Sequence, residues 1–251
     1  MYVIAALIAL GALVGCAGPG SAPSSSDSSN LLGTYTGILP CADCAGIRAD
    51  LKLYAGQPGG VASRYEIRET YIGTRDGDRT FEKSGRVKMV RGTASDKEAT
   101  VYQLDTDRAD VLRNFIRAGD NELRLLDHER KELVSSGPHS LYRAITLALG
   151  DSGKAIDISQ GERVVVRLES NRSTGFRWSL LTSGSNALTS LAAGEYTPEA
   201  GAGGKPGAGG TESWYFQASR SGQQELRFEY RRPWEVNVPA AKSANYSVRV
   251  R

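Results

Sequence analysis

The side chains with chemistry of their own are few and unevenly placed in this chain of 251 residues. Its cysteines are Cys16, Cys41 and Cys44 and its histidines are His128 and His139, so everything from Ile145 onward lacks both thiol and imidazole. Nucleophilic catalysis by a Cys/His or Ser/His pair needs a nucleophile within reach of a base. The second half has no such pair, and no enzyme activity is expected there. It has instead three short segments: Asn171, Arg172, Ser173, Thr174, Gly175 and Phe176; then Gly207, Gly209 and Gly210 around Ala208; then Arg232, Pro233 and Trp234. These residue types bind rather than react. Asn171 can fold its side chain back as an Asx-turn and Gly175 can take a positive φ, which would hold Arg172, Ser173 and Thr174 outward. Pro233 stiffens its turn, and Trp234 is of the type most enriched at interface hot spots. The glycine segment alone reads as a hairpin tip or linker.

Cys41 and Cys44 are compatible with a structural disulfide, a soft-metal site or a redox pair, and an exported chain favours oxidation. A thioredoxin-like centre needs a helix N-terminus, whereas the alternation after Gly46 predicts a strand. A closed zinc site wants four ligands and finds two thiols and two scattered histidines. No cofactor and no tightly held metal are expected.

The elements that must position these residues read as strands. Ile47, Ala49, Leu51 and Leu53 alternate with polar neighbours, and further strands are expected at Arg64–Thr70, Gly85–Val90, Thr100–Leu104, Val111–Arg117 and Glu122–Asp127. Short strands in succession argue for a small antiparallel barrel. In the second half, strand character at Arg163–Glu169, Gly175–Leu180, Ser213–Ala218 and Gln224–Tyr230 makes each of the three segments a loop between strands. Loops at one end of a β-sandwich converge on a single edge. Trp178, inside an alternating strand, is the expected core tryptophan.

The N-terminus reads differently. Val3–Val14 form an apolar run too short to span a bilayer, ending in Leu13-Val14-Gly15-Cys16. This resembles a bacterial lipobox, which implies a signal peptide over 1–15, acylation of Cys16 and a lipid anchor of several chains. Residues 16–31 then form a flexible linker. Ala17 after the cysteine implies the outer membrane of a Gram-negative envelope, with the protein facing the periplasm. The formal net charge of +3 is too slight to imply nucleic acid.

Two resemblances complete the reading. The string from Gly33 through Pro40-Cys41-Ala42-Asp43-Cys44 to Ile47 resembles the N-terminal domain of NlpE-type outer-membrane lipoproteins. It implies a lipocalin-like barrel over 32–144, linked in that family to copper tolerance and envelope-stress signalling; lipocalin-like interiors also permit a small hydrophobic ligand. The three ordered loops resemble the chagasin family of inhibitors of papain-like cysteine peptidases, whose pattern is Asn-Pro-Thr-Thr-Gly-Tyr/Phe, Gly-x-Gly-Gly and Arg-Pro-Trp/Phe. That likeness implies an immunoglobulin-like sandwich over 145–251 that blocks the peptidase cleft reversibly and is not cleaved. It places Thr174 beside the catalytic cysteine, with Phe176 behind the loop. Arg172 stands where the family has proline and Ser173 where it has its first threonine, changes expected to loosen the loop and put a charge at its tip.

Overall fold

A computed structural model describes residues 30–107, 112–134, 137–184, 186–199 and 207–251. Cys16, the apolar run before it and most of the expected linker lie outside the described residues. The fold is all-β. In chain order the first strands are β1 (Leu31–Leu39), β2 (Gly46–Ala55), β3 (Ala62–Ile72), β4 (Arg79–Arg91), β5 (Thr100–Leu104), β6 (Arg113–Arg117), β7 (Glu122–Leu126) and β8 (Ser140–Leu147). Each pairs antiparallel with the next, and β8 returns to β1 through Leu141↔Gly37 and Arg143↔Tyr35, closing an eight-stranded barrel.

Alternation along these strands sends Leu51, Leu53, Tyr65, Ile67, Phe115, Leu123 and Leu141 inward, where they are almost wholly buried. Polar groups inside are paired. The Tyr65 hydroxyl donates to Asp105 Oδ2 at 2.7 Å; burial and that carboxylate hold the phenol well above its ordinary pKa, so it stays a donor. Glu69, fully buried, takes both guanidinium nitrogens of Arg113, the second at 3.0 Å, and has Lys83 at 3.6 Å. Removing one partner of a buried pair strands the other charge. Arg113→Ala is therefore expected to destabilise the barrel by about 3 kcal/mol in urea unfolding; a loss below about 1 kcal/mol would put the pair in the class of surface bridges instead.

The second half continues with β9 (Ala155–Ile158), β10 (Arg163–Ser170), β11 (Arg177–Gly184), β12 (Leu188–Pro198), β13 (Gly210–Ala218), β14 (Gly222–Arg231) and β15 (Lys242–Val250). One sheet runs β11-β14-β15-β9, and the opposing one runs β8-β10-β13-β12. Between them lies an immunoglobulin-like sandwich core of Val164, Val166, Leu168, Trp178, Trp214, Phe228, Tyr246 and Val248. Trp178 is 5% exposed, in the place its alternation predicts.

Strand β8 belongs to both bodies. Leu141 packs in the barrel core and Leu147 in the sandwich core, while Ala144 joins Val165 and Tyr215 in a small cluster between them. Its second half pairs parallel with β10, Ala144↔Arg163 to Leu147↔Val166. The 144/145 boundary expected from the sequence therefore falls in mid-strand. On the outer barrel wall a row runs Thr36, Asp50, Arg68, Glu82 across four strands. The outward face of β10 lies against it: Arg163 Nη1 donates to the Thr36 carbonyl at 2.9 Å and Arg167 Nη2 pairs with Asp50. Arg48 stacks 4.1 Å over the Tyr215 ring and pairs with Glu195. Burial pushes the Glu195 carboxyl above its ordinary value, outweighing the pull of Arg48 in that pair.

Candidate functional site

The three segments singled out by residue type meet at one end of the sandwich. The first bridges β10 and β11. Asn171 is extended (φ −125°, ψ 93°), and its Oδ1 accepts from the Ser173 amide at 3.2 Å, capping a short 3-10 turn at Arg172–Thr174. This is the Asx geometry expected of it. Gly175 ends the turn at φ 81°, a conformation costly for any residue with a Cβ. The Ser173 hydroxyl donates to Asn171 Oδ1 and the Thr174 hydroxyl to the Asn171 carbonyl, both at 2.6 Å. Ser173 and Thr174 are exposed, with their oxygens turned back into the loop.

The second segment joins the first through a direct bond, since Asn171 Nδ2 donates to the Gly207 carbonyl at 2.9 Å. Gly207 is also left-handed, at φ 85°. The Gly209 carbonyl accepts from Glu199, and Gly210 opens β13 opposite Ser170. A Cβ at Gly210 would lie 2.5 Å from the Tyr196 ring, so a larger residue there would displace that ring.

The third segment closes over the first. Arg232 Nε donates to the Thr174 carbonyl at 3.1 Å, its guanidinium lies 4.4 Å over the Phe176 ring, and Nη1 pairs with Glu235 at 2.8 Å. The Trp234 indole covers Gly175 so closely that a Cβ there would sit 2.3 Å from the ring. Trp234 is nonetheless 66% exposed. Behind the loops, Phe176 stacks on Tyr230 at 5.2 Å, Tyr230 meets Trp178 at 5.0 Å, and the Tyr230 hydroxyl accepts from the Asn171 amide at 2.9 Å. Pro233 sits in the turn between them, after the last residue of β14.

Arg172 departs from expectation. Its side chain does not project freely from the tip. Its guanidinium folds back over the Tyr196 ring at 4.5 Å and donates to the Gly194 carbonyl at 3.1 Å, with Glu212 at 3.8 Å. A buried carboxylate beneath the loop and an aromatic face beside it are stronger partners than water at an exposed tip. Glu212 and Tyr196 carry no strong signal in the sequence, because neither lies in a loop motif and Glu212 stands between Thr211 and Ser213 at the polar start of β13.

A cleft of about 550 Å³ separates this edge from the barrel, with Asn171, Gly209 and Gly210 on one wall and Arg68 and Glu82 on the other. Cys41 and Cys44 lie elsewhere, in the β1–β2 connection, joined as a disulfide with their Cα atoms 5.4 Å apart. Among the described residues no group of three or more His, Cys, Asp and Glu side chains is placed to hold a metal ion. Nor is any helix there long and apolar enough to cross a membrane.

Among solved structures, the cysteine protease inhibitor EhICP2 from Entamoeba histolytica is similar at 21% identity, over 43% of this chain and 96% of that one, with a TM-score of 0.40. The solution structure of amebosin is similar at 27% identity, over 46% of this chain and all of that one, with a TM-score of 0.36. No curated protein matches the chain. Residues 35–136 match the model of the NlpE N-terminal domain. Residues 157–250 match that of the chagasin family peptidase inhibitor I42, and so contain all three loops. The chain thus carries one segment similar to the NlpE N-terminal domain and, after it, a segment similar to the chagasin family of peptidase inhibitors.

Proposed function

We propose that this protein is a lipid-anchored, extracytoplasmic inhibitor of papain-like cysteine peptidases, and that it acts by reversible insertion of the three-loop edge into the active-site cleft. The observation that carries this reading is the assembly of the loops by their own bonds: Asn171 to Gly207, Arg232 to Thr174, and Trp234 on Gly175. An edge already ordered before binding loses little conformational entropy on association. The loop backbone from Asn171 to Gly175 is turned on itself, which makes it a poor substrate for an enzyme that cleaves extended chains. In this reading Thr174 approaches the catalytic cysteine, while Trp234 supplies the apolar contact beside it.

Cys16 is the proposed acceptor of the lipid, and the outer membrane facing the periplasm the proposed location. The barrel would hold the inhibitory edge at a fixed distance from the membrane, since β8 runs unbroken from one body into the other. The test is titration of papain and a cathepsin L-type peptidase with the mature chain. Tight, reversible inhibition by an uncleaved protein is expected; absence of inhibition at micromolar folded protein would overturn the reading.

The NlpE-type domain favours a second reading, in which the barrel reports envelope stress or copper at the surface and the sandwich serves as its interaction domain. Unchanged stress-reporter output on deletion and on overproduction would count against it.

A further inference from the structure

Beneath the first two loops, Arg172 of the first segment meets Tyr196 and Glu212, which lie outside all three segments. β12 carries a bulge around Ala192 to Glu195, which leaves Gly194 (φ 63°) out of the ladder with β13. The Gly194 carbonyl, so released, is the one that accepts from Arg172. Two residues on, the Tyr196 ring presents one contact to the Arg172 guanidinium and another to Gly210, whose missing Cβ makes room for it. Below them Glu212 has a side chain only 3% exposed; its Oε1 accepts from the Ser170 hydroxyl at 2.6 Å, and Oε2 faces Arg172. A carboxylate withdrawn this far from water favours a cation held nearby.

We infer that Arg172, Tyr196 and Glu212 form a latch that fixes the first loop against the second, with Arg172 and Tyr196 as positioning residues for inhibition. The inference rests on the inhibitor reading above. A loop can be stiffened by its backbone or by clamping one of its side chains, and here the clamp is a side chain. Arg172 begins the 3-10 turn after an extended Asn171, a position that suits proline equally well. Proline at 172 would restrict the backbone without the latch, and so separates a positioning role from direct contact with the peptidase.

The test uses the mature chain with papain as probe, comparing Arg172→Ala, Tyr196→Ala, the double variant and Arg172→Pro, with amide exchange at Thr174 and Gly175 measured in parallel. Each alanine variant is expected to weaken inhibition about 10-fold, chiefly by slowing association. The double variant is expected to fall within about 3-fold of the weaker single one, since both changes break the same clamp. Arg172→Pro should recover to within about 3-fold of wild type, and exchange at Thr174 and Gly175 should quicken in Arg172→Ala. Losses that multiply in the double variant, with Arg172→Pro no better than Arg172→Ala, would overturn the latch and assign Arg172 a direct contact. If the wild-type chain leaves papain uninhibited, it is the inhibitor reading that fails. Exchange then decides the latch alone: unchanged rates at Thr174 and Gly175 in Arg172→Ala overturn it, and faster rates uphold it.

Discussion

Replacing Trp234 with alanine is expected to weaken inhibition of a papain-like peptidase by about 100-fold while moving the thermal midpoint of the protein little. The indole is 66% exposed, so the fold gains little from burying it, and none of the sandwich core residues depends on it. Its exposed face is what a partner would cover. Central aromatic residues at interfaces cost about 2 kcal/mol or more when truncated, and each 1.4 kcal/mol is about tenfold in affinity. Here truncation carries a second loss, because the ring also covers Gly175 and so helps fix the first loop. Titration of papain with the two proteins, alongside thermal unfolding of each, measures both terms. A change below about 3-fold in inhibition would remove Trp234 from the contact.

The second large effect concerns stability. A fragment of residues 146–251, cut near the boundary suggested by the sequence, is expected to be at least about 3 kcal/mol less stable than the full chain and to self-associate. The cut removes Ala144 and Ile145, the partners of Arg163 and Val164 across the parallel ladder, and bares the edge of β10. It also returns Val165 and Tyr215 to water, both nearly fully buried in the intact protein. Arg167 and Glu195 lose their interdomain partners, Asp50 and Arg48, at the same time. Urea unfolding and sedimentation of the fragment beside a longer one from Ser140 provide the measurement. Equal stability of the 146–251 fragment and the full chain would show that the two bodies are independent despite the shared strand.

Much of this architecture is legible in the residues. β5 occupies Thr100–Leu104, the run its alternation predicts, and β10 and β14 extend the predicted Arg163–Glu169 and Gln224–Tyr230 by a residue or two. Trp178 could be placed in the core because inward positions recur with period two. The loop turn was also readable, since Asn and Gly announce the Asx cap and the left-handed residue directly. β12 was harder. Its run Leu191-Ala192-Ala193-Gly194 carries little β-propensity, and what holds it is pairing with β13 rather than local preference.

The mid-strand position of the domain boundary escapes sequence reasoning for a related cause. Leu141, Ala144 and Leu147 face three different clusters, so one strand serves two bodies with no break in composition to mark the crossing. Arg172 escaped because a charge in a loop motif reads as solvated. Only the distant placement of Tyr196 and Glu212 turns it inward. The lipidation proposed for Cys16 rests on the sequence alone.

The most direct measurement is the rate of hydrolysis of a small peptide substrate by papain, recorded across substrate concentrations at fixed levels of the mature protein. Occupation of the active-site cleft by the loop edge predicts competitive inhibition: the apparent inhibition constant rises linearly with substrate, activity returns on dilution, and the inhibitor chain is recovered intact. Inhibition independent of substrate concentration, cleavage of the Asn171–Phe176 loop, or full activity in the presence of folded protein would contradict it.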